Sequence, residues 1–387
     1  MPQMNRRDMG SMVRATAIAL ARATETPRPT ATSTRRPTRT PEPTRTLKAT
    51  HTPGPTETPG PTSTRPALVP HDPPPMDKFP PRQPGPGGSK LGLHVMRNNS
   101  PDILEFVRVT KPVLVKGVDD LGWLLEVKLA SPSTITVGRV TVDSQDIEGD
   151  PVEAARDMVK EQLDAYDSNR YGVDYWEGWN EPILRTPDDM RWYAAFEAER
   201  VRALASHGLR AAVGTFSTGV PEADTFPLFL PAIEAAKQYG GVFAVHEYSA
   251  PTMQEGVGVP LPGFAPAPHR GVLTLRYRWW YDQFLKPAGL IIPLVITEAG
   301  VDGGIPNRPG PDGLGWRDFT DYWRQQGLGD NGAQVYLDQL AWYDRETRQD
   351  PYVLGFAVFT AGGPDGQWAS FEITDELPLL ARYLVSQ

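Results

Sequence analysis

VDYWEGWN, residues 173 to 180, leads within a few residues into TPDDMRWYAAFEAERVRALASHG, residues 186 to 208. The first stretch reads as a buried strand. The second reads as a helix, with Thr186 as N-cap, Pro187 at the first helical position and Gly208 past the end. A strand followed by a helix is one βα unit, and the chain repeats it on both sides of this one. Upstream lie LGLHVM (91–96), PVLVKGV (112–118) and TITVGRV (134–140), followed by helical patterns at SPDILEFVRVT, LGWLLEVKLA and 151–167. Downstream lie AAVGTFS (211–217), VFAVHEYS (242–249), PLVITEAG (293–300) and VLGFAVFTAG (353–362), with helices expected over 224–239, 273–285, 332–347 and 376–384. Eight such alternations over about 300 residues predict an α/β chain folded as a (β/α)₈ barrel. The alternative, an open doubly wound sheet, lacks its usual Gly-rich loop after the first strand.

Barrel enzymes act at the C-terminal ends of their strands. Those ends carry His94 and Asn98, Asp119 and Asp120, Arg139, Asn180 and Glu181, His246 and Tyr248, and Glu298. Asp119 and Asp120 read as capping or loop residues. The loops at 250–272 and 301–330 are long, as functional loops tend to be. Within WEGWNEP, Glu177 and Glu181 present buried carboxylates, which are costly unless compensated. Glu298, in VITEAG, is the partner expected across the barrel mouth. Two carboxyl groups about 5–5.5 Å apart suit double-displacement glycoside hydrolysis, and their repulsion would raise the pKa of one of them. The bland alternative is a structural role, with Glu181 or Glu298 paired to Arg139 or Lys116.

YWEGWNEP on the fourth strand together with VITEAG on the seventh resembles the clan A retaining glycoside hydrolases, the 4/7 barrels, over residues 90–387. The resemblance implies Glu181 as general acid/base, Glu298 as nucleophile and Asn180 as the residue that holds the sugar 2-hydroxyl. It also implies that His246 and Tyr248 line the site, that Tyr248 donates to the nucleophile, and that Glu177 orients rather than reacts. Trp179, Arg139, His94, Trp316 and Trp368 are further candidates for sugar contact. Two departures stand out: Phe359 lies where clan members often place a Trp, and strand two offers Lys116 where some families of the clan have an Arg, the nearest Arg here being Arg139 on strand three. A poly- or oligosaccharide substrate follows, with a glycan-binding barrel or a peptidoglycan hydrolase as alternatives.

Composition sets the remaining bounds. Of the 41 prolines, 19 fall in the first 90 residues. Residues 1–70 hold 11 Lys and Arg against 4 Asp and Glu, which leaves the body with 28 against 43. An acidic body argues against nucleic acid as a partner. The six histidines lack metal-ligand spacing and cysteine is absent, so neither a metal nor a cofactor is expected. Residues 24–88 form a Thr/Pro-rich linker expected to be disordered. Ahead of it, Arg6 and Arg7, the run ATAIALA and Ala21 to Ala23 resemble a degenerate or truncated export signal over 1–23. An extracellular or surface-attached monomer is therefore expected, with residues 89–387 as its barrel domain. No apolar run is long enough to span a membrane.

Overall fold

The computed structural model describes residues 88–363, 366 and 368–387. The export-like segment and all but the last residue of the Thr/Pro stretch lie outside the described residues. Eight parallel strands form one sheet: β1 (Leu91–Val95), β2 (Leu114–Val118), β3 (Ile135–Arg139), β4 (Tyr175–Trp176), β5 (Ala212–Phe216), β6 (Val242–Ser249), β7 (Leu294–Val301) and β8 (Val353–Ala361). Their order is β4-β3-β2-β1-β8-β7-β6-β5. A single bridge, Trp176 to Ala211, completes the ring between β4 and β5. This is the expected barrel. The helices outside it are α1 (Pro101–Thr110), α2 (Leu124–Ala130), α3 (Pro151–Glu161), α4 (Leu163–Asn169), α5 (Pro187–Ser206), α6 (Leu230–Gln238), α7 (Tyr277–Trp280), α8 (Thr320–Gln325), α9 (Gly332–Arg348) and α10 (Leu377–Val385). Among the described residues no helix is long and apolar enough to cross a membrane.

The α5 signals act as the sequence implies. Thr186 accepts from the Asp189 backbone, and the Asp189 carboxylate accepts in return from the Thr186 backbone, a reciprocal capping box. The helix expected over 273–285 is shorter than its pattern. The buried Glu247 carboxylate accepts the backbone N–H groups of Leu275 and Tyr277, so regular helix starts only at Tyr277 and widens into a π-helical turn over Tyr281–Leu285.

Strand periodicity explains what fills the barrel. Leu114, Val137, Tyr175 and Ala244 belong to one apolar cluster, contributed by four different strands. Two residues further along the same strands come Lys116, Arg139, Glu177 and His246, all buried. A two-residue period keeps both sets on one face. An apolar plug is thus overlaid by a charged layer at the strand ends.

The thinly bonded seam between β4 and β5 is closed from outside by α5. Arg200 donates to the main-chain oxygens of Trp176 (3.0 Å) and Ala212 (2.6 Å) and grips Glu197 through two nitrogens at 2.8 Å each. Gly178 is required here: a Cβ at that position would lie 2.7 Å from Arg200 Nε and 2.9 Å from a Glu197 oxygen. Arg200 and Glu197 are both fully buried. Arg200→Ala should therefore cost roughly 3–5 kcal/mol, because it strands the Glu197 charge and frees the seam. Urea denaturation measures this, and a loss under about 1 kcal/mol would show the clamp to be dispensable.

Candidate active site

Glu181, just past the C-terminal end of β4, and Glu298, near that of β7, are 8% and 1% exposed. With His246 they form a group whose nearest polar atoms all lie within 4.8 Å of one another. His246 Nδ1 stands 2.9 Å from Glu181 Oε1 and 3.5 Å from Glu298 Oε2, between the two carboxylates. Tyr248, two residues on, donates its hydroxyl to Glu298 Oε2 at 2.8 Å.

Two irregularities aim these carboxylates. The register between β6 and β7 shifts so that Val245 pairs with Ile296 and His246 with Glu298. Thr297 is the extra residue of this bulge, and it turns Glu298 toward the inside, where simple alternation from Val295 would have put Thr297. Glu181 has φ 49°, in the left-handed region, and Thr215 at the end of β5 has φ 45°. The two are tied together: Glu181 N donates to Thr215 O at 3.1 Å, and the Thr215 hydroxyl donates to Trp179 O. Such backbone states cost on the order of 1–3 kcal/mol for residues other than glycine and concentrate at functional sites.

Electrostatics single out Glu298. Burial opposes the charge of Glu298, but His246, Lys116, His94 and Arg139 around it prevail and hold its carboxyl well below the usual range. Lys116 Nζ lies 2.9 Å and Arg139 Nη1 3.3 Å from Glu298 Oε1. His94 Nε2 faces the same oxygen at 3.6 Å. Burial keeps His94 largely neutral despite the pull of Glu298, and its Nδ1 is hydrogen-bonded to the Thr360 hydroxyl at 2.7 Å. Burial, and then the negative charges of Glu298 and Glu181, hold Tyr248 protonated, so it is a dependable donor. Glu298 does have the salt bridges of the bland structural reading, and they keep it ionised. Glu181, for its part, shares a hydrogen bond with His246 Nδ1 at 2.9 Å.

The other expected residues are placed as follows. Arg139 donates to the Asn180 side-chain oxygen and so ties that amide to Glu298. Glu177 lies beside Lys116 in the charged layer, with Oε2 2.9 Å from Lys116 Nζ. Asp119 and Asp120 are loop staples rather than helix caps: Asp119 accepts from the Thr141 backbone and hydroxyl, and Asp120 from the Asn98 backbone. Trp368 is half-buried, edge-on to Phe359 at 5.2 Å, and Phe359 in turn contacts His94 at 4.7 Å. The loop after β8 thus sets an indole beside the position where strand eight has only Phe359.

Two of the expected sugar contacts are packed within the protein. Trp179 is packed among Trp192, Tyr193 and Phe196 over α5, because the chain leaves strand geometry after Trp176 and turns this ring outward. Trp316 is stacked on Tyr336 at 5.1 Å, with its indole N–H given to Phe371 O, and it anchors the loop after β7. A third acid escaped the sequence reading. Asp302, four residues past Glu298, rises to about 6 through burial, opposed by the Gly304 N–H and reinforced by the charges of Glu181 and Glu298. Its position in a loop gave no periodic signal.

Glu181, His246 and Glu298 are also the group among the described residues with a spacing that could hold a cation. Lys116 and Arg139 already satisfy one oxygen of Glu298, which disfavours a divalent ion there.

No family model matches the chain, and no curated protein matches it. Similar solved structures include a glucosidase from Croceicoccus marinus, 13% identical with a TM-score of 0.43 over 78% of this chain and 70% of that one. A family 39 glycoside hydrolase from Bacteroides cellulosilyticus WH2 is 14% identical with a TM-score of 0.44, over 73% of this chain and 59% of that one, so less than two thirds of its length is spanned. A glycoside hydrolase family 5 enzyme from Prevotella bryantii B14 is 12% identical with a TM-score of 0.45, over 76% of this chain and 95% of that one. At these identities the likeness is one of barrel fold. The chemistry rests on the side chains.

Proposed function

We propose that this chain is a retaining glycoside hydrolase acting on β-linked glycans, with Glu298 as nucleophile and Glu181 as acid/base. The observation that carries the reading is the spacing: one oxygen of Glu181 and one of Glu298 lie within 4.8 Å of each other, which fits double displacement. An inverting enzyme needs about 6.5–9.5 Å to hold a water between its two carboxyl groups. The charges divide the roles. Glu298, held ionised by Lys116 and Arg139, attacks the anomeric carbon while Glu181 protonates the departing oxygen. Glu181 then takes a proton from the water that breaks the glycosyl ester. Arg139 fixes the oxygen of the Asn180 amide, which leaves the NH₂ side for a sugar hydroxyl. Trp368 beside Phe359 supplies an aromatic face near the same mouth.

The test is hydrolysis by the full-length protein across β-linked polysaccharides and aryl glycosides, with Glu298→Gln alongside. Activity lost in the variant supports the reading and names the sugar. Silence from a folded protein across the panel would leave only a glycan-binding barrel. An extracellular or surface-attached site of action is part of the proposal and rests on the export-like segment and the Thr/Pro stretch. A reporter fused behind residues 1–88 that stayed in the cytoplasm would remove it.

A further inference from the structure

Glu177 has no step in double displacement, yet it is fully buried and shares a lysine with Glu298. Its Oε2 lies 2.9 Å from Lys116 Nζ, the same nitrogen that reaches Glu298 Oε1 at 2.9 Å. Arg139 Nη1 repeats the pattern more loosely, at 4.0 Å and 3.3 Å. Lys116 is itself fully buried, so solvent does not screen its charge. Around Glu298 stand His94 from β1, Lys116 from β2, Arg139 from β3, Glu177 just past β4 and His246 and Tyr248 from β6. Glu181 beyond β4 and Asp302 in the following loop add two further acids, and the neighbour from β8 is the neutral Thr360 behind His94.

At the level of Lys116 the charges balance, two cations against two carboxylates. That balance changes during the reaction. As Glu298 bonds to the anomeric carbon its charge is lost, and Glu177 alone then opposes Lys116 and Arg139. The transition states on either side are oxocarbenium-like and add positive character just above this layer. Uncompensated buried charge is costly, so a carboxylate that stays ionised throughout favours both steps.

We infer that Glu177 is a positioning residue that acts through Lys116: it holds the ammonium between the two carboxylates and supplies the counter-charge that remains when Glu298 is esterified. The inference rests on the glycosidase reading above for its kinetic consequence and on geometry alone for its electrostatic one. With Glu177→Gln, Lys116 turns wholly to Glu298. The nucleophile becomes harder to protonate and weaker, while substrate contacts are untouched. The expected result is a kcat lower by on the order of 10- to 100-fold with little change in KM, and an acid limb of kcat/KM displaced downward by about one pH unit. Lys116→Met displaces that limb upward, since two buried carboxylates then face each other with Arg139 between them.

The deciding variant is the double, Glu177→Gln with Lys116→Met. It removes an ion pair as a neutral unit and restores balance between Arg139 and Glu298, so its acid limb should lie between those of the single variants. A role confined to packing gives losses that add and an acid limb that does not move, which would overturn the inference. The electrostatic half is read without turnover, by carboxyl-carbon NMR of full-length protein carrying ¹³C-labelled glutamate. The Glu298 resonance is identified by its loss in Glu298→Gln, and its titration is followed in wild type, Glu177→Gln and the double variant. A Glu298 midpoint lower in Glu177→Gln than in the other two supports the inference even if no glycoside is ever cleaved. Identical midpoints in all three overturn it, whatever the fate of the glycosidase reading. If Lys116→Met alone does not fold, these three proteins still decide the matter.

Discussion

Glu298→Ala is expected to lose turnover by on the order of 10⁴-fold or more, and added azide should restore part of it. Removing the carboxylate takes away the atom that bonds to the anomeric carbon and leaves a small space at the base of the mouth. Lys116 and Arg139, which held Glu298 at 2.9 and 3.3 Å, then face that space with only Glu177 opposing them. A small anion is drawn to that position. Azide attacks the anomeric carbon from the side Glu298 occupied, the bond to the departing oxygen breaks, and Glu181 protonates that oxygen. One displacement replaces two, so the product is a glycosyl azide of inverted configuration. Anomeric analysis of the product by NMR reads the outcome directly. Undiminished hydrolysis by Glu298→Ala without any added anion would exclude Glu298 as nucleophile. The same result in Glu298→Gln, whose amide preserves the shape of the site, would exclude it independently of any effect on folding.

Much of this site can be read from strand parity. Lys116, Arg139, Glu177 and His246 each lie two residues beyond an apolar barrel position, so alternation alone turns them inward. The N-terminus of α5 was equally plain, because Thr186 and Pro187 act within one turn of helix. Glu298 is different. The resemblance of its motif pointed to the mouth, but alternation from Val295 points it outward, and only the bulge at Thr297 reconciles the two. A bulge is a property of two strands in register, and no single strand displays it. Trp179 shows a related limit: β4 is only two residues long, so parity counted from Tyr175 no longer holds four residues later. Trp316 and Asp302 lie in a loop, where no period exists to assign a side chain to a face. Lys116 illustrates a third limit. Its presence on strand two was evident, but that one nitrogen is shared by two carboxylates depends on β4 and β7 meeting across the barrel.

Glu181→Ala should divide substrates by their leaving group. A poor leaving group needs the proton that Glu181 gives, so ordinary glycosides should slow by roughly 10²- to 10⁴-fold. A dinitrophenyl glycoside departs without that proton, and Glu298 is still present, still bonded by Tyr248 at 2.8 Å and still paired with Lys116. The glycosyl-enzyme should therefore form at nearly the wild-type rate, and it should then accumulate, because no carboxylate remains to activate water. A burst of dinitrophenolate equal to the enzyme concentration, followed by slow release, is the expected trace. Azide needs no general base, so it should accelerate the slow phase. It attacks from the face opposite Glu298, and two displacements yield a glycosyl azide of retained configuration. His246 bears on the size of these effects, since its Nδ1 loses a partner at 2.9 Å and keeps Glu298 at 3.5 Å. A small drift of the imidazole toward Glu298 would slow the burst itself without altering the stereochemistry. Stereochemistry is thus the sharper criterion: retained azide from Glu181→Ala and inverted azide from Glu298→Ala fix the two roles together. Inverted azide from Glu181→Ala would mean that the carboxylates have exchanged roles, and the charge argument that assigns attack to Glu298 would fall with it.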